Sequence, residues 1–155
     1  MPDYLNTFII SVIGGIASGI TGLVGLAYSQ RYTENRKLVD GTLRELELLA
    51  DQCAKSAGVA WSSIGDPDAE APIETICLLH DISSFTTFVK DRVTNAGVRI
   101  DSAHINFRRV TTGDNFDVKG RLPDPGRVSE IRSSAAALKM ACRSVIYDRN
   151  KLGLW

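Results

Sequence analysis

Cysteine is scarce in this chain, and its 3 copies follow no pattern that binds a metal or builds a disulfide framework. Cys53, Cys77 and Cys142 are odd in number, lie far apart and form no C-x-x-C pair. Disulfide-rich and zinc-binding domains need paired, closely spaced cysteines. Each cysteine instead neighbours apolar residues in a stretch of helical periodicity, which predicts small buried side chains in a reducing compartment. We therefore expect neither a metal nor another cofactor.

The motifs of several common enzyme classes are also missing. The chain has no G-x-x-x-x-G-K-[ST] or G-x-G-x-x-G loop for nucleotide phosphates, no H-E-x-x-H and no G-x-S-x-G. Neither His80 nor His104 has a histidine four residues away, and His80 is expected to pack on a helix face rather than bind a metal. The sequence leaves enzymatic activity uncertain and favours a protein that is not an enzyme.

Net charge is absent as well, since 18 basic side chains are balanced by 18 acidic ones. Binding to nucleic acid through bulk electrostatics requires an excess of positive charge, so no nucleic-acid partner is expected. A hydrophobic content of 44% with 23% charged residues is typical of a folded domain.

Charged residues are missing from one long stretch, residues 4–30, which is followed directly by Arg31. At about 1.5 Å per residue a helix of this length reaches about 40 Å, and the hydrocarbon core of a bilayer is about 30 Å thick. The stretch therefore predicts a transmembrane anchor in residues 1–30, continuing as a helix into a domain formed by residues 31–155.

The charges that flank this stretch predict its orientation. Arg31, Arg36 and Lys37 follow it, whereas Asp3 precedes it. By the positive-inside rule we expect a single-pass protein of the cell inner membrane, with the N-terminus outside and the C-terminal domain in the cytoplasm. The segment 25–27 resembles a signal-peptidase site, so a cleaved signal peptide remains the alternative.

Small residues lie on one side of the predicted span. At about 100° per residue they fall within an arc of about 140°, opposite bulky aliphatic residues. Small side chains allow helix backbones to approach closely in lipid, although glycine is also common in membrane helices in general. The arc predicts a helix-packing face formed by Gly14, Gly15, Ser18, Gly19, Gly22 and Gly25.

Apolar periodicity predicts that the rest of the chain is all-α. Helices are expected over residues 31–64, 72–96 and 125–150, with a short helix at 103–110 and a loop at 114–124. This gives a small bundle of three long helices and one short one. The predicted core positions of the first helix are Val39, Leu43, Leu46, Ala50, Cys53, Ala57, Ala60 and Ile64.

The second predicted helix has an unusually broad apolar face, which implies burial against two neighbours or against one neighbour and another subunit. A turn at 65–68 precedes this helix, and Gly97 is expected to end it. The face consists of Ile73, Ile76, Cys77, Leu79, Ile82, Phe85, Phe88, Val89 and Val93.

One pair of residues suggests catalysis. Arg99 and His104 form an Arg-x4-His pattern, which resembles the motif of small helical RNA-cleaving domains of the HEPN type. The resemblance implies an arginine that steadies phosphate charge and a histidine that moves a proton. Ile100 departs from that family, where the residue after the arginine is usually polar. The alternative is a histidine that lies on the surface or whose hydrogen bonds are made by its neighbours.

A second group of residues suggests an anion pocket. Paired guanidinium groups followed by free backbone N–H groups suit phosphate, but the same arginines also suit simple ion pairs with Asp114 or Asp117. The candidate ligand-binding residues are Arg108, Arg109, Thr112 and Gly113.

The sequence therefore favours a small membrane protein that works by assembly, as a homo-oligomer or with another membrane protein, with lipid as its surroundings. It would serve as a structural or adaptor subunit, or as a membrane-perturbing effector in bacterial defence or lysis. The alternatives are a membrane-tethered HEPN-like nuclease that uses Arg99 and His104, and an anion-sensing regulator built on the loop at 108–114.

Overall fold

The computed structural model describes the backbone of residues 3–151 and the side chains of residues 30–93 and 97–148. It contains four helices: α1 (Asp3–Ser62), α2 (Glu70–Arg92), α3 (Thr94–Thr112) and α4 (Pro125–Lys151). No strand occurs over residues 3–151, which confirms the prediction of an all-α chain. The chain divides into two compact units, residues 1–38 and residues 39–155.

The second unit is a bundle in which α1 and α4, and likewise α2 and α3, run antiparallel. Polar pairs between α1 and α4 show this, since Lys139 binds Asp51 while Arg143, further along α4, binds Glu47, earlier in α1. The same reversed order relates α2 and α3, where Ser83 meets His104 and Lys90 meets Asp101. The prediction of a helical bundle is thus confirmed.

The core of the bundle follows the predicted stripe of α1. Seven of its eight positions are buried, and the exception is Ile64, which is 67% exposed. Ile64 leaves the stripe because α1 ends at Ser62, so the 3.6-residue period no longer applies there. The buried positions are Val39, Leu43, Leu46, Ala50, Cys53, Ala57 and Ala60.

The apolar face of α2 is narrower than the sequence predicts. Leu79, Ile82 and Val89 are buried, but Ile73 and Ile76 are 51% and 55% exposed, and Cys77 is exposed too. Near the start of α2, Pro72 and Thr75 are the buried residues instead. Within the described residues, the first turns of α2 leave an apolar row uncovered.

The third helix is longer than predicted. Instead of a short helix at 103–110, α3 covers Thr94–Thr112, and a single residue separates it from α2. Val93, with φ −134° and ψ 78°, breaks the helical path between them. Gly97 is therefore not the stop that ends α2, as predicted, but a buried residue in the first turns of α3.

The predicted turn and the start of the last helix are both found. Residues 65–68 form a turn in which the Asp66 carboxylate accepts from the Asp68 N–H. Asp124 precedes α4 and accepts from the Arg127 N–H with its side chain, so it caps the helix that begins at Pro125.

The predicted membrane span and its glycine face lie outside the described side chains, which begin at residue 30. This holds for Gly14, Gly15, Ser18, Gly19, Gly22 and Gly25. In the part of the chain that the structure describes, no helix is long and apolar enough to cross a membrane. The span receives no support from the structure and stays a prediction from the sequence.

Candidate functional site

Trp61 forms the centre of a polar cluster at the end of α1. Its side chain is buried, and its indole Nε1–H donates to the Thr111 carbonyl at 2.8 Å. Its own carbonyl accepts from the Asp124 N–H at 2.8 Å, which joins α1 to the residue that caps α4. The end of α3 and the start of α4 are therefore both held on one tryptophan.

Two guanidinium groups lie over the Trp61 ring. The central guanidinium carbon is 4.0 Å from the ring centroid in Arg121 and 5.3 Å in Arg127. Arg121 also donates to the Ala60 carbonyl at 2.8 Å and to the Leu122 carbonyl at 3.3 Å. Burial lowers the pKa of Arg121, and the nearby Asp124 carboxylate partly opposes this effect. The ring's negative face stabilises both cations.

A cavity of about 460 Å³ opens beside this cluster. Its volume falls in the range of small-molecule sites, about 300–1,000 Å³. The Nε atoms of Arg121 and Arg127 are buried and have no hydrogen-bond partner among the described residues. The cavity is lined by Trp61, Asp114, Asn115, Val118, Arg121, Leu122, Asp124 and Arg127.

The predicted anion pocket is only partly assembled. Gly113 follows α3 with φ 53°, and a Cβ atom at this position would lie 3.2 Å from the Trp61 ring; Gly113 itself does not line the cavity, but the next residue, Asp114, does. Arg108 and Arg109 do not line it: both are exposed, and Arg109 donates to Asn106 on its own helix. Thr112 donates to the Arg108 carbonyl. The proposed partners Asp114 and Asp117 form no salt bridge with these arginines among the described residues.

Sequence reasoning missed the residues that replace them, Trp61, Arg121 and Arg127. Trp61 continues the buried stripe of α1 next to Ala60, and Arg121 and Arg127 flank the recognised start of α4. No local spacing rule joins residue 61 to residues 121 and 127, because the bundle's topology brings them together.

Both residues of the predicted catalytic pair lie on α3, but their partners belong to two different helices. Arg99 is exposed and binds Asp148 of α4 at 2.6 Å. His104 is 7% exposed, and its Nε2 lies 3.1 Å from the Ser83 hydroxyl of α2. The geometry therefore places a surface ion pair and a satisfied inner histidine where the HEPN resemblance implies a joint site.

The environment of His104 predicts that the bundle loses stability in acid. Burial lowers the pKa of His104 below its ordinary 6.5; Asp101 opposes the shift and Arg108 adds to it. Below pH 6.5 the unfolded chain binds a proton at residue 104 that the folded chain does not, so the free energy of unfolding falls as the pH drops. We expect His104→Gln to make thermal unfolding between pH 7.5 and 5 less pH-dependent.

The matched control for this measurement is His80→Gln. The His80 side chain is 83% exposed, so its replacement should leave the pH dependence unchanged. An unaltered pH profile in His104→Gln would show that the buried imidazole does not control acid stability.

The three cysteines differ in burial. Cys53 and Cys142 are buried as predicted, and burial raises the pKa of both thiols to about 12. Cys77 is exposed, contrary to the prediction, because its part of α2 faces outward. No group of metal-binding side chains occurs among the residues searched, those that the structure describes.

A larger cavity, about 820 Å³, lies between α1 and α4. Its wall is formed mainly by small or apolar residues, including Ala54, Gly58 and Ala135, and its Lys139 is already paired with Asp51. Small-molecule sites need a few convergent polar groups to orient a ligand. The larger cavity also has Lys55 and Arg132 in its lining, whereas two arginines of the cavity beside Trp61 have a buried donor without a described partner, which makes that cavity the stronger candidate.

Comparison with known proteins adds no family to these observations. A scan against protein-family models and searches of curated proteins and solved structures found no match. The class that the geometry defines is an antiparallel four-helix bundle with a doubly cationic tryptophan cluster at one end.

Proposed function

We propose that the protein is anchored in a membrane by its N-terminal segment and works by assembling with copies of itself. The observation that carries the proposal is the run of residues 4–30, which has no charged side chain and belongs to α1. Such a run matches the thickness of a bilayer. The bundle formed by residues 39–155 would then be held at the cytoplasmic surface, as the charges that follow the run indicate.

The glycine arc supports self-association within the membrane. Lipid is as apolar as leucine, so helices associate in it through close packing, to which small residues are suited. Gly15 and Gly19 form one small-x-x-x-small pair, and Gly14, Ser18 and Gly22 form another beside it. A second copy of the same chain offers the same small-residue surface and therefore fits it directly.

The exposed row on α2 gives the bundle a second means of contact. Ile73, Ile76 and Cys77 recur at three- and four-residue spacing on one side of α2 and are exposed. Once the anchors have associated, a contact between these residues of two copies loses little further entropy, because the anchors raise the effective concentration of one bundle beside the other. Structural subunit and membrane-perturbing effector remain the two forms of this function.

The test is the mass of the detergent-solubilised protein, measured by size-exclusion chromatography with light scattering. We expect an oligomer for the parent chain and dissociation for Gly19→Leu, because a leucine keeps the helices apart. Membrane fractionation in parallel should show that the chain is released by detergent and not by alkaline carbonate.

Ala17→Leu is the matched control. It introduces the same side chain on the far side of the predicted helix, and we expect it to leave the oligomer intact. Equal masses for Gly19→Leu and the parent would contradict assembly through the glycine arc, and full solubility without detergent would contradict the anchor. Cell depolarisation on overexpression, lost in Gly19→Leu, would distinguish the effector from the structural subunit.

A further inference from the structure

The two guanidinium groups of the cluster on Trp61 form few close ion pairs with the described residues, although the Asp124 carboxylate lies near Arg121. Two guanidinium groups lie within 5.3 Å of one ring centroid, and like charges so placed repel each other. Among the described residues no carboxylate forms a salt bridge with Arg121, and Arg127 has one contact of 3.4 Å with Glu130, which is 63% exposed. An exposed pair of this kind contributes little.

Both arginines also have a buried donor that is not used. The Nε atoms of Arg121 and Arg127 are inaccessible to solvent and have no acceptor among the described residues. A buried donor without a partner is costly, and a guanidinium pairs best with an oxyanion that accepts two parallel hydrogen bonds. Both side chains line one cavity, so an anion with several oxygens bound there would accept from both guanidinium groups once each side chain turns toward it.

We propose that the cavity beside Trp61 binds the phosphate group of a small soluble phosphate ester, held between Arg121 and Arg127. Phosphate offers enough oxygens for both guanidinium groups. The positions of Arg121 and Arg127 in the bundle do not depend on the membrane anchor, so the proposed site stands independently of the proposed function.

The remaining lining narrows the class of ligand. A cavity of about 460 Å³ is larger than a phosphate ion needs, and Val118 and Leu122 offer apolar surface for an organic group. Asp114 and Asp124 add two negative charges to the lining, which disfavours a polyphosphate. A monoester with a single phosphate, such as a sugar phosphate, matches the cavity's volume, its apolar surface and its two lining carboxylates.

The test uses the fluorescence of Trp61 in the full-length, detergent-solubilised protein. The chain has 2 tryptophans, so Trp155→Phe leaves Trp61 as the sole indole reporter. In this background glucose 6-phosphate, inorganic phosphate and glucose are titrated at constant ionic strength, with chloride as the reference anion. We expect a saturable change with glucose 6-phosphate, a weaker one with inorganic phosphate, and none with glucose or chloride.

The decisive variant is Arg127→Gln, which removes the charge while leaving the backbone N–H that Asp124 caps. We expect it to raise the Kd for glucose 6-phosphate by about tenfold or more. The matched control is Arg132→Gln, an exposed arginine of α4 that lines the other cavity, and it should leave the Kd unchanged. If Arg127→Gln loses its helical circular dichroism, Arg127→Lys serves instead, with weaker binding expected because the planar fork is lost.

Several outcomes would overturn the proposal. One is the absence of a saturable signal in both fluorescence and titration calorimetry. Another is an equal Kd for Arg127→Gln, or for Arg127→Lys where that variant replaces it, and the parent. Saturation by inorganic phosphate without saturation by glucose 6-phosphate would overturn the assignment to an ester.

Discussion

Replacing Trp61 with alanine is expected to destabilise the bundle by about 3–5 kcal/mol, the range for large aromatic residues in a core. The Trp61 side chain is buried, and its ring lies 5.9 Å from that of Phe116. Removing the indole opens a cavity and leaves the Thr111 carbonyl, which accepts from Nε1, without this partner. It also removes the ring on which the Arg121 guanidinium lies.

Thermal or urea unfolding of the full-length protein, followed by circular dichroism, measures this effect. Trp61→Phe should fall between alanine and the parent, because it keeps part of the packing but loses the Nε1 donor. Leu122→Ala is the matched control: Leu122 lines the same cavity but is 78% exposed, so we expect a change within about 0.5 kcal/mol. Equal losses in the free energy of unfolding for Trp61→Ala and Leu122→Ala would show that the indole does not hold α1, the end of α3 and the start of α4 together.

Replacing Gly97 with alanine is expected to destabilise the protein by about 1–3 kcal/mol through overpacking. A Cβ atom at this position would lie 2.7 Å from the Cα of Lys90 and 3.4 Å from its carbonyl oxygen. Because those atoms belong to the backbone of α2, a rotamer change cannot relieve the contact. The connection between α2 and α3 is a single residue, Val93, so the two helices have little freedom to separate.

Gly41→Ala is the matched control, with an effect of opposite sign. Gly41 lies in α1, and a Cβ there would meet nothing within 4 Å. Alanine favours helix over glycine by about 1 kcal/mol, so Gly41→Ala should raise the unfolding temperature. Stabilisation by both alanines would contradict the close approach of α2 and α3 at residue 97.

The difference between Gly97 and Gly41 illustrates how far local patterns reach. A glycine near the end of an apolar stripe predicts a helix stop, and at Gly97 this prediction is wrong. The residue that breaks the helical path is Val93, and the glycine is needed four residues later for close packing. The sequence shows that a glycine is present at this position, but only the structure shows that the Lys90 backbone leaves no room there for a Cβ atom.

The candidate site shows the same limit. Gly113, predicted to belong to an anion pocket, lies next to Trp61 at the end of α3, and its role in binding stays a prediction. Arg108 and Arg109, the arginines predicted for that pocket, are exposed and do not line the cavity, so their role stays a prediction. Arg121 and Arg127 take their place through contacts with a tryptophan some sixty residues earlier in the chain.

The sequence by itself determined the all-α class, the buried stripe of α1, the turn at 65–68 and the start of α4 at Pro125. These features depend on periodicity and on capping by adjacent residues, which are short-range interactions. Only the tertiary structure decided the length of α3, the outward position of Ile73, Ile76 and Cys77, and the cluster around Trp61. Those features depend on which helix faces which, and that is set by packing between residues far apart in the chain.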